Sequence, residues 1–182
     1  MNLAIERFHQ TVRATLPQAT NILEVGCGEG FSTQAVLANR SLQSFAGDIF
    51  HGPVEEAKLR YPDAHYSVLN ALTLPFPDQS FDGIFSLEVL EHLDDPARAI
   101  QEFKRVARFF LLLSVPNEPI FRIQRLMSGK GIANWGDHPE HVNHWSLRSF
   151  QGFLQGQGLK IEKAVSPAPF AWSIVLCRIV SS

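Results

Sequence analysis

The 182-residue sequence lacks most features of secreted, membrane-spanning or nucleic-acid-binding proteins. It contains two cysteines, too few for a disulfide framework or for a zinc site built from cysteine pairs. No apolar run is long enough to span a bilayer, and the first ten residues lack a signal-peptide pattern. The formal net charge of -2 gives no general attraction to nucleic acid. These absences favour a globular protein of the reducing cytoplasm, without a nucleic-acid partner.

Short apolar strands alternate with helical patterns along most of the chain. Strands are predicted at 22–25, 44–48, 65–69, 81–86, 109–115, 159–165 and 173–180. Helices are predicted at 5–16, 32–39, 54–60, 96–108 and 147–158, with Ser146 as the cap of the last one. This alternation predicts one domain, 1–182, with an open, doubly wound α/β sheet. Such sheets bind ligands at the carboxyl ends of their strands.

The stretch ILEVGCGEG, at Ile22–Gly30, is a strand that breaks into three glycines at alternate positions. It does not match the dinucleotide fingerprint G-x-G-x-x-G, because Phe31 stands where the third glycine belongs. Glu29 would also place a negative charge beside a pyrophosphate. A Walker loop is excluded because no Gly-Lys-Ser/Thr follows. The turn therefore predicts a nucleoside ligand without phosphate.

Further blocks follow this turn: GDIF around Asp48, NAL at 70–72, and LPFPDQSFDGIFSLEVLEHL. In order and spacing they resemble the class I S-adenosylmethionine-dependent methyltransferases, of the methyltransferase type 11 and ubiquinone-biosynthesis kind. The resemblance is close from Ile22 to Val115 and looser beyond. It implies a mostly parallel, seven-stranded Rossmann-like sheet with helices on both faces and an antiparallel last strand. It also implies transfer of a methyl group from S-adenosylmethionine to an oxygen or carbon of a small-molecule acceptor, by in-line displacement.

The resemblance further implies a set of cofactor-binding residues. The set is Glu24, Gly26, Cys27, Gly28, Gly30, Asp48, Ile49, Asn70, Ala71, Leu72 and Leu87. Asp48 would accept hydrogen bonds from the ribose hydroxyls, and Ile49 would pack on adenine. Asn70 stands where relatives often carry aspartate, and its amide oxygen would accept the adenine amino group. Glu24 would orient the loop or meet the cofactor's ammonium group through water, and Cys27 would fill space in the turn.

The segment SLEVLEHL places two acids and a histidine at positions i, i+3 and i+4, which share one face if the segment is helical. This block, followed by HVNHW, resembles two metal-using relatives, a small-RNA 2′-O-methyltransferase and the O-methyltransferase of ubiquinone biosynthesis. By that resemblance a divalent metal would be bound by Glu88, Glu91, His92 and His141. Relatives without a metal also carry Glu-His-Leu here. In that case His92, His141 and His144 are candidate general bases or merely shape the pocket.

Residues 116–145 interrupt the alternation and are predicted to form a lid over the acceptor. The amphipathic PIFRIQRLM within this segment would suit contact with a membrane surface or a lipid acceptor. Trp135 and Trp145 are expected to be core or lid residues. Two alternatives to small-molecule methylation stay open. One is a metal-assisted RNA 2′-O-methyltransferase, for which Arg122, Arg125 and Lys130 are the candidate basic residues, and the other is a non-catalytic domain with the same fold.

Overall fold

The computed structural model describes residues 3–118, 120 and 141–180, and in these ranges strands and helices alternate as expected. The strands are β1 (Asn21–Val25), β2 (Gln43–Asp48), β3 (His65–Val68), β4 (Phe81–Leu87), β5 (Ala107–Pro116), β6 (Leu159–Val165) and β7 (Trp172–Ile179). The helices are α1 (Leu3–Thr15), α2 (Phe31–Leu37), α3 (His51–Arg60), α4 (Pro96–Val106) and α5 (Leu147–Gly156). A short 3-10 turn spans Leu90–His92.

The seven strands form one sheet in the order β3-β2-β1-β4-β5-β7-β6. The pairings from β3 across to β5 are parallel, whereas β7 runs antiparallel to both β5 and β6. The predicted Rossmann-like sheet, mostly parallel with an antiparallel last strand, is therefore confirmed. The chain leaves β1 toward β2 on one side and returns to β4 on the other. The carboxyl ends of β1 and β4 thus flank the topological switch point where such sheets bind ligands.

Helices cover both faces of the sheet, because side chains of the central strands alternate between two apolar cores. One core packs Leu23, Ile84 and Leu111 against α4 and α5. The other packs strand residues such as Ile22 and Phe85 against α1 and α2. Each core residue named here is completely or almost completely buried. The central strands are therefore held rigidly, and so are the positions at which they end.

Two helix starts follow the local chemistry that the sequence indicates. The Ser146 hydroxyl accepts a hydrogen bond from the Ser149 amide at 3.2 Å, which caps α5. The Asp95 carboxylate accepts one from the Arg98 amide at 3.0 Å, and Pro96 follows as the first residue of α4. Among the helices of the described ranges, none combines the length and apolarity needed to cross a bilayer.

The fifth strand differs from its prediction as a parallel strand at the centre of the sheet. It begins at Ala107 rather than at Phe109, and α4 ends two residues earlier than expected. The strand β5 is parallel to β4 on one side and antiparallel to β7 on the other. Phe109 is 50% exposed, whereas the strand is buried from Phe110 to its end.

Candidate functional site

A cavity of about 650 Å³ lies at the carboxyl ends of β1 to β4, beside the switch point. Its volume is typical of a small-molecule site, for which roughly 300–1,000 Å³ is usual. The lining residues are Val25, Gly26, Gly28, Asp48, Ile49, Phe50, Leu69, Asn70, Ala71, Glu88, Val89, His92 and Leu93. Of the predicted cofactor set, Glu24, Cys27, Gly30, Leu72 and Leu87 are not part of this lining. The structure therefore brings together part of the predicted set and members of the predicted catalytic and metal sets.

The lining also contains apolar residues that the sequence motifs did not single out. These are Val25, Phe50, Leu69, Val89 and Leu93. Each is the immediate chain neighbour of a lining residue that the motifs do include. The signal was available in the sequence, since apolar residues beside polar ones at a strand end supply the walls of a pocket.

The glycine turn after β1 requires the conformations that only glycine adopts at low cost. Gly26, Gly28 and Gly30 have φ angles of 85°, 49° and 80°. A Cβ at Gly26 would lie 2.1 Å from a methyl carbon of Val89, whereas a Cβ at Gly28 would meet no atom within 4 Å. Gly28 therefore leaves open space on the cavity side, which a ligand can approach closely.

Asp48 connects the glycine turn to the segment that follows β2. Its Oδ2 accepts a hydrogen bond from the Gly28 amide at 3.0 Å, and its Oδ1 accepts one from the Phe50 amide at 3.1 Å. A carboxylate has about four acceptor positions, so both oxygens keep capacity for another donor. Because Asp48 lines the cavity, that capacity is available to paired hydroxyls of a ligand.

Glu24 is completely buried in β1, and its carboxyl accepts a hydrogen bond from the Thr33 hydroxyl of α2. Burial raises the pKa of Glu24 to about 8, with the hydrogen bond from Thr33 opposing the shift and the nearby Asp48 adding to it. This contact joins β1 to α2 on either side of the glycine turn, and orientation of the loop by Glu24 stays a prediction. Cys27 is buried, and burial followed by the charges of Glu24 and Asp48 raises the pKa of its thiol. Its role as a filler of the turn is consistent with that environment.

The raised pKa of Glu24 gives a testable pH dependence. The folded protein keeps this proton up to about pH 8, whereas a glutamate in the unfolded chain loses it near its ordinary pKa of 4.5. The contribution of Glu24 to stability is therefore full at low pH and is lost as the pH rises toward 8, by up to about 1.4 kcal/mol per pH unit. We expect Glu24→Gln to remove this part of the slope in urea unfolding between pH 5 and 8. An identical slope in the variant would show that Glu24 ionises normally.

Asn70 lies in the cavity lining as predicted, but its side chain already has a local partner. Its Oδ1 accepts a hydrogen bond from the Leu72 amide at 2.9 Å, which closes a turn after β3. The same oxygen keeps a second lone pair for a ligand. Glu29, in contrast, is exposed and absent from the lining, and its carboxylate is 3.9 Å from Arg60. The expectation that Glu29 would lie beside a pyrophosphate is therefore wrong, and the acidic side chains in the lining are those of Asp48 and Glu88.

The segment after β4 is not the helix that the spacing of its acids suggested. Glu88 has a φ of 57°, and the short 3-10 turn begins only at Leu90. The amide of Glu88 still donates to the Ser114 carbonyl of β5 at 3.2 Å, so the chain follows the sheet edge before it turns. The prediction of one shared helical face for Glu88, Glu91 and His92 is therefore wrong, although Glu88 and His92 both line the cavity.

Glu88 and Glu91 have different surroundings. The Oε1 of Glu88 accepts a hydrogen bond from the Ser114 hydroxyl at 2.8 Å, and Trp172 also donates to its carboxyl. Burial raises the pKa of Glu88 to about 8, with Glu118 adding to the shift. Glu91 is 1% exposed, and within the described ranges neither of its carboxyl oxygens has a hydrogen-bond partner. Burial, followed by the neighbouring Glu88, raises its pKa well above the usual value.

The segment 141–145 is held against the 3-10 turn by backbone hydrogen bonds. The amides of Val142 and Asn143 donate to the Glu91 carbonyl at 2.8 and 3.0 Å. The Asn143 side-chain amide donates to the carbonyls of Leu90 and Leu93 at 3.3 and 2.6 Å. The Trp145 carbonyl accepts from the Glu118 amide at 2.9 Å. Residues far apart in sequence thereby meet at one edge of the sheet.

Three histidines and a further acid meet at this edge. The rings of His92 and His141 are 5.1 Å apart between centroids. The Oε1 of Glu118 lies 2.9 Å from Nδ1 of His141 and 3.4 Å from Nδ1 of His144. One potential ligand atom from each of Glu91, His92 and His141 lies within 4.8 Å of the others. The structure thus assembles three of the four predicted metal ligands, and it adds Glu118, which the motifs did not single out.

Glu118 had a recognisable signal in the sequence, since it stands just beyond the apolar run of β5, near the carboxyl end of that strand.

Other expectations fall outside the described ranges. Most of the predicted lid 116–145 lies there, with Trp135, Arg122, Arg125, Lys130 and nearly all of PIFRIQRLM. Trp145 is described, and its ring packs 5.5 Å from that of Phe150 and 5.3 Å from that of Phe153. It is partly buried and packs against the core from the end of the predicted lid segment.

Residues 23–109 match the family model described as "Methyltransferase domain". The chain is 36% identical over 116 residues to "O-methyltransferase resE" of Aspergillus sclerotiorum. The aligned residues make up 59% of this chain and 44% of that protein. It is 38% identical over 120 residues to "Probable S-adenosylmethionine-dependent methyltransferase Rv3030" of Mycobacterium tuberculosis. Here the aligned residues make up 63% of this chain and 43% of that protein. The chain thus spans less than half the length of these curated relatives.

The fold is shared with solved structures at low sequence identity. The magnesium protoporphyrin IX methyltransferase ChlM of Synechocystis PCC 6803, solved with bound SAH, superposes with a TM-score of 0.75. The identity is 17%, and the match covers 98% of this chain and 84% of ChlM. This likeness shows the fold, and the matched family model, the relatives and the glycine turn joined to Asp48 identify the family. The chain belongs to the class I S-adenosylmethionine-dependent methyltransferases.

Proposed function

We propose that the protein transfers the methyl group of S-adenosylmethionine to a hydroxyl oxygen of a small-molecule acceptor. One observation carries this proposal: a single cavity joins the open space at Gly28 and Asp48 to Glu88 and His92. A cofactor site and groups suited to acid–base chemistry therefore share one space. The name of the relative resE, an O-methyltransferase, supports the choice of oxygen as the atom that is methylated.

The cofactor end of the cavity suits an adenosine portion. Asp48 would accept hydrogen bonds from the ribose hydroxyls while keeping its bonds to Gly28 and Phe50. Ile49 and Phe50 are exposed by 56% and 67%, so they offer apolar surface that a base would cover. Asn70 would accept the amino group of adenine through its second lone pair. S-adenosylmethionine brings a methyl group that is already activated, so no protein nucleophile is required.

The other end of the cavity suits an acceptor hydroxyl. A hydroxyl must lose its proton as its oxygen is methylated, and imidazole is the usual base near neutral pH. His92 lines the cavity directly, and the ring of His141 lies against it. Glu88 and Glu91 add acidic groups with raised pKa values to the same edge. The chain's own contribution is to align the acceptor with the methyl group and to receive its proton.

The experiment is a screen with S-adenosylmethionine that carries a labelled methyl group. The acceptor pools are quinone precursors and other phenols, sugars, and small RNA. We expect the label to reach a small hydroxyl compound with the wild-type protein and not with Asp48→Ala. Label transferred to RNA would support the nucleic-acid alternative instead. If the cofactor binds and no pool is labelled, the proposal of a small-molecule enzyme fails, in favour of a non-catalytic domain.

A divalent metal is a second part of this proposal. It would bind where His92, His141 and His144 meet, which we call the histidine edge. Two features support it: the close approach of potential ligand atoms from Glu91, His92 and His141, and the buried Glu91 oxygens, to which no group in the described part of the chain donates a hydrogen bond. Carboxylate and imidazole ligands fit Mn²⁺, Fe²⁺ or Zn²⁺. Such an ion would promote loss of the acceptor's proton. Glu88, the fourth predicted ligand, is outside this three-residue cluster, because its carboxyl accepts from Ser114 and Trp172.

Metal binding is tested without the acceptor, by calorimetric titration of the chelator-treated protein with Mn²⁺ or Zn²⁺. We expect one ion per chain and affinity lower by about tenfold or more in Glu91→Gln, which loses a ligand charge. His51→Gln is a matched control, because His51 is an exposed histidine on α3 outside the cavity lining. Equal titrations of the wild-type and Glu91→Gln proteins, or no binding at all, would rule out the metal.

A further inference from the structure

We infer that Glu118 is a positioning residue that holds His141 in one tautomer, with its proton on Nδ1 and the lone pair on Nε2. This inference rests on the proposed function, in which the histidine edge receives the acceptor's proton or binds a metal. Neither the sequence motifs nor the comparisons assign a role to Glu118. Its position, its burial and its two contacts carry the argument.

The position of Glu118 is fixed at both sides. It follows β5 closely, where the Asn117 amide donates to the Ala171 carbonyl at 2.8 Å. The amide of Glu118 donates to the Trp145 carbonyl at 2.9 Å, so this hydrogen bond joins the two ends of the segment 116–145. Glu118 is 5% exposed, and the side chain of His141 is 6% exposed. A buried contact between two anchored segments leaves little freedom for either side chain.

The chemistry of the contact determines the tautomer. A carboxylate only accepts hydrogen bonds, so with Oε1 of Glu118 at 2.9 Å the Nδ1 of His141 is the donor. In neutral imidazole the other nitrogen, Nε2, then carries the lone pair. That nitrogen is the one able to receive a proton or bind a metal. The same carboxylate oxygen also lies 3.4 Å from Nδ1 of His144, so it faces two imidazoles.

A purely structural role for Glu118 would have different consequences. The segment 141–145 is also held by Asn143, whose side chain bonds the carbonyls of Leu90 and Leu93. Loss of the Asn143 amide would loosen the segment without removing the acceptor at Nδ1 of His141. Asn143→Ala is therefore a matched control that separates anchoring of the segment from orientation of the imidazole.

The test is NMR of protein labelled with ¹⁵N-histidine, in which long-range proton–nitrogen correlations report the tautomer. It is recorded at about pH 9, where an imidazole of ordinary pKa near 6.5 is neutral. His141→Gln assigns the signal of His141 by its loss. We expect the Nδ1–H form in the wild type, in Asn143→Ala, and in Glu118→Gln, which keeps an acceptor oxygen. In Glu118→Leu, which fills the space without an acceptor, we expect a shift toward the Nε2–H form.

Two results would overturn the inference: the Nε2–H form in the wild type, or an unchanged Nδ1–H form in Glu118→Leu. The wild-type spectrum is decisive even if Glu118→Leu does not fold. With an acceptor identified, Glu118→Leu should lower kcat on the order of tenfold and leave the KM for S-adenosylmethionine unchanged, while Glu118→Gln keeps most of kcat. The spectra need no acceptor, so failure of the acceptor screen and failure of this inference are distinguishable.

Discussion

Asp48→Ala is expected to weaken the binding of S-adenosylmethionine by about 100- to 10,000-fold. The carboxylate of Asp48 would accept hydrogen bonds from both ribose hydroxyls, and each bond to a charged group contributes about 1.5–3 kcal/mol. The variant also loses the bonds from Asp48 to the amides of Gly28 and Phe50, so the turn would be less well ordered. Isothermal titration calorimetry with S-adenosylmethionine measures the change.

The matched control is Asp82→Ala. Asp82 also accepts backbone hydrogen bonds, from the amides of Thr20 and Asn21 at 2.8 and 3.3 Å. Asp82 is the second residue of β4, at the amino-terminal ends of the parallel strands, whereas the cavity lies at their carboxyl ends. We expect Asp82→Ala to reduce the free energy of unfolding while the affinity for the cofactor stays within about twofold. Equal affinities of Asp48→Ala and the wild type would refute the assignment of the ribose site.

Gly28→Ala is expected to weaken cofactor binding by about 10- to 100-fold while the protein stays folded. A Cβ at this position would meet no protein atom within 4 Å, so it clashes with nothing in the free protein. It would project into space that the proposal gives to the cofactor, and forced overpacking typically costs about 1–3 kcal/mol. The same calorimetric titration measures this loss.

The substitution also places a side chain at a φ of 49°, which costs roughly 1–2 kcal/mol of stability. Gly158→Ala controls for that cost. Gly158 has a φ of 76°, lies between α5 and β6, and is absent from the cavity lining. We expect both variants to lose similar stability in urea and only Gly28→Ala to lose affinity. If both bind the cofactor as the wild type does, the space beside Gly28 is not occupied by it.

Much of the fold follows from local sequence patterns. The strand ends at Val25 and Asp48, the cap at Ser146 and the whole of β6 could be predicted, because apolar periodicity and capping act within a few residues. The prediction was wrong at the boundary between α4 and β5. There, pairing of Ala107 with Phe81 of β4 extends the strand, and a local pattern does not contain that information.

The candidate site divides in the same way. Residues at strand ends, such as Gly28, Asp48 and Asn70, could be placed from the sequence, because the parallel sheet brings those ends together. The helical spacing of Glu88 and Glu91 was misleading, since a hydrogen bond to β5 keeps Glu88 at the sheet edge. The pairing of Glu118 with His141 depends on contacts between segments distant in sequence, which no local motif encodes.

The central claim is that the cavity beside Gly28 and Asp48 binds the methyl donor. A crystal structure of the protein grown with S-adenosylhomocysteine tests it most directly. We predict one molecule per chain in this cavity, with its ribose hydroxyls within hydrogen-bond distance of the Asp48 carboxylate and its base against Ile49. A ligand bound elsewhere, or in this cavity with its ribose directed away from Asp48, would contradict the account.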